Sequence, residues 1–309
     1  MSNRELRLIV TQACNYNCVF CHKEGLQTKQ RDAFNAEDFK FLFEVGKKNF
    51  GLNTTTLSGG EPLVRKDIVG IAKSLNESGA EIVITTNGFL LGERIEVGNY
   101  LKRLNLSLHV LDKLEYEKIV QKKDTYEKVL VNLFAFREKY PNVEIRLNAT
   151  LVKGINTSDE KINSYIDLAE KLSASIKFLE LYPNTLPGFY SLEKFGEKLK
   201  QLGFKLMEKD NRKTLFEKKN VKIILGRIFC AFAEQTKDPY NECKKYNDLF
   251  ITPEGKIKPC RSILREIDIY DEVKNQDAES LKNKIILGLS LLGEDCKCVT
   301  CQNYGGKNE

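Results

Sequence analysis

The chain has 309 residues and a mass of 35.4 kDa, enough for about two domains of roughly 150 residues each, or one barrel with an appendage. Hydrophobic residues at 41% and charged residues at 30% sit near globular averages, which excludes a disordered, collagen-like or coiled-coil chain and leaves a core that needs no disulfide staples. The net charge of +6, from 49 basic and 43 acidic residues of interspersed sign, is too mild for a nucleic-acid surface but suits an anionic small molecule.

The opening segment, MSNRELRLIV, carries charges within its short apolar run and lacks the plan of a signal peptide. Its end, Glu5–Thr11, is the first expected strand. Further β-branched runs predict strands at Thr54–Leu57, Glu81–Thr85, Asn105–His109, Val143–Thr150 and Ile176–Leu181. Helical patterns lie between them, such as AEDFKFLFEVGKKNF after Asn35, RKDIVGIAKSLNESG after Val64 and TSDEKINSYIDLAEKLS after Asn156. The last opens on a Thr157 or Ser158 cap with acids in its first turn. Six strand–helix repeats imply a parallel sheet with right-handed crossovers. They are too few to close a standard eight-stranded barrel, and periodicity alone leaves a partial barrel and an open doubly wound sheet as alternatives.

After about residue 215 the texture changes. VKIILGRIF and LFITPEGKIKPC read as short strands, the second a hairpin turning at Pro253-Glu254-Gly255. The expected division is residues 1–215 and 216–309. The longest apolar run, Ile285–Leu292, is about half a membrane span, so the expectation is a cytoplasmic protein with neither a membrane nor a nucleic-acid partner.

Nine cysteines are an odd number for a chain held only by internal disulfides; without a secretion signal, clustered cysteines point to metal or chemistry. Three fall between Cys14 and Cys21 and six between Cys230 and Cys301, so a metal site at each end is expected. The first group, T-Q-A-C14-N-Y-N-C18-V-F-C21-H, directly follows the first strand, where α/β proteins build sites. Three thiolates at this spacing can wrap one face of a small inorganic cluster and leave a fourth metal position without a local ligand. A zinc ion completed by His22 or a distant cysteine is the alternative.

The CxxxCxxC pattern with Phe20 before its last cysteine resembles the cluster loop of the radical SAM superfamily. Ser58-Gly-Gly-Glu-Pro62 after the second strand resembles that superfamily's methionine-binding motif, Thr85-Thr-Asn-Gly88 follows the third strand, and Leu106-Ser-Leu-His109 lies on the fourth. The resemblance covers roughly residues 5–183. It implies a partial (β/α)6 TIM barrel holding a [4Fe-4S] cluster on Cys14, Cys18 and Cys21, with S-adenosylmethionine (SAM) on the open iron. Reduction would split SAM into methionine and a 5′-deoxyadenosyl radical that abstracts hydrogen from a substrate, the cofactor carrying the hard chemistry. Gly59 and Gly60 would admit bare backbone to the methionine moiety, with Glu61 and Pro62 completing the motif.

Local wording resembles most the MoaA family, the GTP cyclases of molybdopterin biosynthesis, in LRLIVTQACNYNCVFCHKEG, TLSGGEPLVRKDI, TTNGFLL, NATLVKGIN and IKFLELYP. By that resemblance Arg7, Lys153 and Lys177 would contact substrate, and Phe20, Gly60, Ser107 and Tyr182 would contact SAM. The chain departs from the family at Thr56, where arginine is usual, and in C243-K-K-Y246-N-D248-L-F250, where a cysteine and two arginines are replaced. Gly305-Gly306 is present but followed by three more residues. Cys243 and Cys260, with sixteen residues between them, and Cys298 and Cys301 of C296-K-C298-V-T-C301 resemble the four-thiolate set of "twitch" or SPASM auxiliary domains. That implies a small C-terminal α+β domain with a second, closed [4Fe-4S] cluster; a zinc ion on four thiolates fits the spacing equally. Cys230 and Cys296 would be spare. The lysine-rich stretches Lys113–Lys123 and Lys194–Lys205 read as solvated helix faces.

The resulting expectation is a radical SAM enzyme acting on a small polar or nucleotide-like substrate, supplied by an electron donor such as flavodoxin or ferredoxin. A divergent MoaA-type GTP cyclase, a peptide-modifying maturase of the same superfamily, and a non-catalytic iron–sulfur or zinc protein are the alternatives.

Overall fold

In the computed structural model, residues 5–21, 23–26, 31–181, 186–210, 213–227, 248–260 and 265–291 are described. Strands β4 (Leu101–Ser107), β5 (Glu144–Leu151) and β6 (Ser175–Glu180) alternate fully buried with half-exposed residues, the period of a strand with one apolar face. With β1 (Glu5–Thr11), β2 (Thr54–Gly59) and β3 (Glu81–Thr86) they run parallel, each beside the next in sequence order. Because the order never reverses, right-handed crossovers put every connecting helix on the same face. A sheet coated on one face in this way curls into a partial barrel rather than an open, doubly wound sheet.

The coated face carries Leu6, Leu8, Leu57, Ile84, Leu104, Leu147 and Phe178. They pack with Phe39 and Leu42 of α1 (Ala36–Phe50), Ile71 of α2 (Ile68–Glu77), Tyr116 of α3 (Lys113–Val120), Phe136 of α4 (Tyr126–Lys139), Tyr165 of α5 (Asp159–Leu172) and Phe195 of α6 (Leu192–Gln201). Local signals set the helix starts. Asn35 and Asp38 form a reciprocal capping box on α1, and Ser158 caps α5 through Lys161 N. β4 begins and ends earlier than the expected Asn105–His109. Its polar alternates Arg103 and Asn105 face away from the helices and, with the exposed Lys102, hide the strand from an apolar-run reading.

The sheet continues at both edges. From β6 it passes to β9 (Val221–Gly226) in parallel, then antiparallel to β8 (Lys213–Lys218) and β7 (Lys205–Lys209). From β1 it passes to β10 (Leu249–Ile251) in parallel, then to β11 (Lys256–Lys258) and β12 (Ile267–Asp268). The β10–β11 hairpin turns at Pro253-Glu254-Gly255, closed by Thr252 N to Lys256 O at 2.9 Å. Helices α7 (Tyr270–Lys274) and α8 (Ala278–Ser290) follow, with α8 laid on β11 and α1. Residue 215 falls inside β8. Among the described residues no helix is long and apolar enough to cross a membrane.

Arg65, just after β2, braces this end of the sheet. Its guanidinium is buried, donates to Val10 O at 2.8 Å and Phe34 O at 2.9 Å, and pairs with Asp67 at 2.6 Å. Arg65→Ala leaves two buried carbonyls without donors and is expected to lower unfolding free energy by about 3 kcal/mol. Denaturant titration of the apo chain measures this, and a loss within error of zero would contradict the bracing role.

Candidate functional site

The site begins where β1 ends. A bulge between Ile9 and Thr11 shifts the β1–β2 register, a device that re-aims a strand exit. The chain then lies along the β2 exit: Gly60 N donates to Thr11 O and Glu61 N to Ala13 O, both at 2.8 Å. A Cβ on Gly59, whose φ is +149°, would meet Thr11 O at 2.2 Å; one on Gly60 would meet Ala13 O at 2.3 Å and Gln12 O at 2.4 Å. The Gly-Gly pair is thus required by contact with the cysteine loop's own backbone.

Cys14, Cys18 and Cys21 carry no disulfide and are exposed, half-buried and exposed, respectively. Tyr16 N donates to Cys14 Sγ and Lys23 N to Cys21 Sγ, each at 3.4 Å. Burial pushes the Cys18 thiol up to about 12, and the charges of Cys21 and Cys14 push the same way. Burial also raises Cys14, with Glu61 and Cys21 adding to it. The three sulfurs therefore lie within electrostatic reach of one another. Among the described residues no three Cys, His, Asp or Glu side chains are gathered tightly enough for a single metal ion. A cubane would place each of the three thiolates on a different iron; His22 and the distant cysteines that a zinc ion would draw on, Cys260 apart, lie outside the described residues.

Helix α3 holds the loop from below. Asn17 N donates to Val120 O at 3.2 Å and Val19 N to Ile119 O at 3.1 Å, using carbonyls that the end of a helix leaves unpaired. Tyr16 is buried edge-on against Phe89 and Tyr116. Lys122 Nζ reaches Asn15 O at 3.3 Å and lies 4.5 Å over the Phe89 ring. At this position the lysine-rich stretch is part of the loop's support, not only a solvated face.

Polar side chains lace the neighbouring strand exits together. Glu61 is 1% exposed; its carboxylate accepts from Leu63 N, from Thr86 Oγ1 at 2.6 Å and from Asn87 N at 2.7 Å. Burial pushes its pKa up to about 7 against those three donors. Pro62 is buried at the start of a 3₁₀ turn, Pro62–Val64, where its missing N–H costs nothing. Asn87 reaches Asn15 on the cysteine loop at 2.8 Å, and Asn132 of α4 donates to Gly88 O and Phe89 O. Asn156, fully buried, donates to His109 O and Thr150 O and accepts from Val152 N. Phe20 and the His109 ring meet edge-on at 4.7 Å, and burial lowers the His109 pKa to about 4, keeping the ring neutral. Asn87, Asn132, Asn156 and His109 carry no site role in the sequence reading; the Asn-Gly of TTNG and the Asn of VKGIN are the signals that mark two of them.

The inner face of the barrel is polar. Arg7, Arg103, Arg146 and Lys177 are each the third residue of their strands, β1, β4, β5 and β6, on the face opposite the helix-packed alternates. Burial lowers the Arg146 pKa to about 10, with Arg103 adding to it and Glu144 and Glu5 opposing; Arg103 itself pairs with Glu144 at 3.6 Å. Ser107, Asn148 and Lys177 are register neighbours across β4, β5 and β6. Asn148 Oδ1, Ser58 Oγ and Asn15 Nδ2 are buried polar atoms without a hydrogen-bond partner, as expected of groups that serve a bound molecule. Lys153 stands apart, exposed on the loop leaving β5. Arg7 is not a bare cation: burial works to lower its pKa, but Glu5, Glu24 and Asp248 raise it on balance, and its guanidinium lies 5.7 Å over Phe250. The two positions that lack the family's arginines, Asp248 and Phe250, thus both face Arg7.

Cys260 ends the hairpin, half-buried. Cys243, Cys298, Cys301, Tyr182, His22, Cys230, Cys296 and Tyr246 lie outside the described residues.

A family model described as the radical SAM superfamily matches residues 8–168. A protein of Pyrobaculum aerophilum named probable GTP 3′,8-cyclase is 32% identical over 286 residues, covering 91% of each chain. Proteins of the same name from Thermococcus kodakarensis and Saccharolobus solfataricus are 31% and 29% identical over 86% and 91% of this chain and of their own lengths. Among solved structures, Streptococcus suis SuiB bound to S-adenosylmethionine superposes with a TM-score of 0.66 at 18% identity, over 98% of this chain and 67% of that one. Native anSMEcpe with bound AdoMet gives 0.56 at 13% identity, over 97% of this chain and 90% of that one. At these identities the structural likeness concerns the fold.

Gly60→Ala forces its methyl against two backbone oxygens, so the apo fold is expected to lose about 3 kcal/mol and the chain to take up less iron on reconstitution than the parent. Full iron loading would contradict the contact. Glu61 supplies a separate test. Its folded pKa of about 7 lies above the ordinary 4.5, so the folded state binds the extra proton and this contribution is present in full below pH 4.5. It is lost as pH rises through 7, amounting to roughly 3 kcal/mol. Apo Glu61→Gln is expected to show a flatter stability–pH curve between pH 4.5 and 7, and an unchanged slope would contradict the buried-acid assignment.

Proposed function

The chain belongs to the radical SAM superfamily, and from that premise we propose that it is a radical SAM enzyme of the GTP 3′,8-cyclase type, acting on a purine nucleotide in the cytoplasm. Cys14, Cys18 and Cys21 would hold the [4Fe-4S] cluster, and when bound this cluster and SAM supply one-electron cleavage of SAM to a 5′-deoxyadenosyl radical. The chain's own part is to bind, orient and exclude water. Gly59 and Gly60 seat the cysteine loop, Glu61 and Pro62 fix the β2 exit, and Phe20, Ser107 and Tyr182 would line the SAM site. The buried Glu61 carboxyl, which Cys14 already feels, is placed to accept from a ligand's cationic amino group, and such a cation would draw its pKa back down.

The observation that carries the substrate class is the set of inward-facing cations. Arg146 and Arg103, with Lys177 one strand further along, present charge to the barrel interior from strands that otherwise bury apolar residues on the helix side. A desolvated anion would gain charge-assisted hydrogen bonds there. Arg7 and Lys153 complete the proposed substrate set. The similarity to relatives named for GTP 3′,8-cyclisation runs over nearly the whole chain and supports the same class.

A second reading keeps the chemistry and changes the substrate. Asp248 and Phe250 against Arg7, with Thr56 in register beside it, answer with the chain's own groups a cation that a triphosphate would need. That favours a less highly charged nucleotide or nucleoside. The C-terminal region, residues 216–309, is proposed to carry a second cluster on Cys243, Cys260, Cys298 and Cys301, with flavodoxin or ferredoxin as electron source.

With the anaerobically reconstituted full chain, SAM and a strong reductant, 5′-deoxyadenosine formation is expected to be stimulated by GTP. Arg146→Ala and Lys177→Ala are each expected to raise the KM for the nucleotide by about tenfold to a hundredfold, as for loss of one charged hydrogen bond, with SAM affinity retained. Stimulation by guanosine or GMP but not GTP would establish the second reading; no 5′-deoxyadenosine with any substrate would contradict both.

A further inference from the structure

The cysteine loop contains a side chain whose orientation is fixed by its neighbours and whose donor is left without a partner. Asn87 Oδ1 accepts from Phe89 N at 3.0 Å, and Asn87 N donates to Glu61 Oε2 at 2.7 Å. With its oxygen so engaged, Asn87 must present Nδ2 to the cysteine loop, where it donates to Asn15 Oδ1 at 2.8 Å. Asn15 therefore has its oxygen turned to Asn87 and its Nδ2 turned away. That Nδ2 is buried and finds no acceptor. A buried donor without an acceptor is costly, and here two residues cooperate to keep it that way.

The missing acceptor is narrowed by what surrounds Asn15. It follows Cys14 directly, and backbone N–H groups of Asn15 and Tyr16 already favour the Cys14 thiolate. The other anion nearby, Glu61, accepts from Leu63, Thr86 and Asn87 and not from Asn15 Nδ2. Sulfur of the cluster held by Cys14, Cys18 and Cys21 is the remaining acceptor of suitable charge. Hydrogen bonds to cluster sulfurs stabilise the reduced, more negative state and raise its potential.

We propose that Asn15 Nδ2 donates a hydrogen bond to a sulfur of the N-terminal cluster, raising its reduction potential, and that Asn87 is the positioning residue that aims it. This rests on the reading that the cysteine trio holds the cluster. It links two motifs, CNYNC and TTNG, that are seventy-two residues apart in sequence, and it gives the Asn of TTNG a redox task in addition to its place in the turn.

The test is an electron paramagnetic resonance redox titration of the reconstituted full chain. The N-terminal cluster is identified as the signal that changes on adding SAM. Asn15→Leu, which keeps the volume and removes the donor, is expected to shift that midpoint to more negative potential, with iron content and SAM affinity as in the parent. Asn87→Ala, which leaves Asn15 in place but unaimed, is expected to shift it the same way by less. A midpoint unmoved in Asn15→Leu overturns the proposal, as does a loss of SAM affinity without a shift, which would place the amide on SAM instead. Should Asn15→Leu fail to take up iron, Asn87→Ala decides alone, and an unmoved midpoint there overturns it. A parent chain that binds no N-terminal cluster would instead overturn the assignment of Cys14, Cys18 and Cys21.

Discussion

The contact on which the site depends is between two stretches of backbone. Gly59 and Gly60, leaving β2, lie so close to Thr11, Gln12 and Ala13, leaving β1, that no side chain fits between them. Two main-chain hydrogen bonds close the seam. This apposition sets the direction in which the cysteine loop leaves the barrel. With it, Cys14 emerges at a fixed point beside the exits of β2 and β3, and the rest of the loop can reach α3.

From that seam outward the site is built mainly of polar groups satisfied by one another. Glu61 ties β2 to β3, Asn87 ties β3 to the cysteine loop, Asn132 ties α4 to the β3 exit, and Asn156 ties β5 to β4. Buried polar networks of this kind are stable only when nearly every member is paired, which gives the few unpaired atoms their meaning. Raised thiol pKa values at Cys14 and Cys18 complete the picture. At neutral pH the apo thiols stay protonated, so taking up metal releases protons and becomes more favourable as pH rises.

Much of the fold was legible in the sequence because its signals are local. The Asn35 cap and the 3.6-residue spacing of α1 mark that helix to the residue, and Pro253-Glu254-Gly255 marks the β10–β11 hairpin. The four ordered motifs announced the cluster and cofactor region. What stayed hidden depends on distant partners. Strand β4 was displaced because its inner residues are polar, which only a barrel interior explains. Arg65 stands in sequence only as the first residue of a helical pattern, yet it binds carbonyls of Val10 and Phe34. Arg7 reads as a substrate cation, and beside its local partner Glu5 it also meets Glu24, Asp248 and Phe250, the last two far along the chain. That pairing also gives the departure from the family's arginines a physical sense, since the replaced positions and Arg7 form one cluster.

The central claim is that the three N-terminal thiolates share one cubane whose remaining iron is open to SAM. Mössbauer spectroscopy of the chain reconstituted with isotopically enriched iron addresses it directly, recorded with and without SAM. The expected result is that one iron subsite alone changes its isomer shift when SAM is added, and that the change disappears in Cys18→Ala. Spectra identical with and without SAM in the fully loaded protein would contradict the claim.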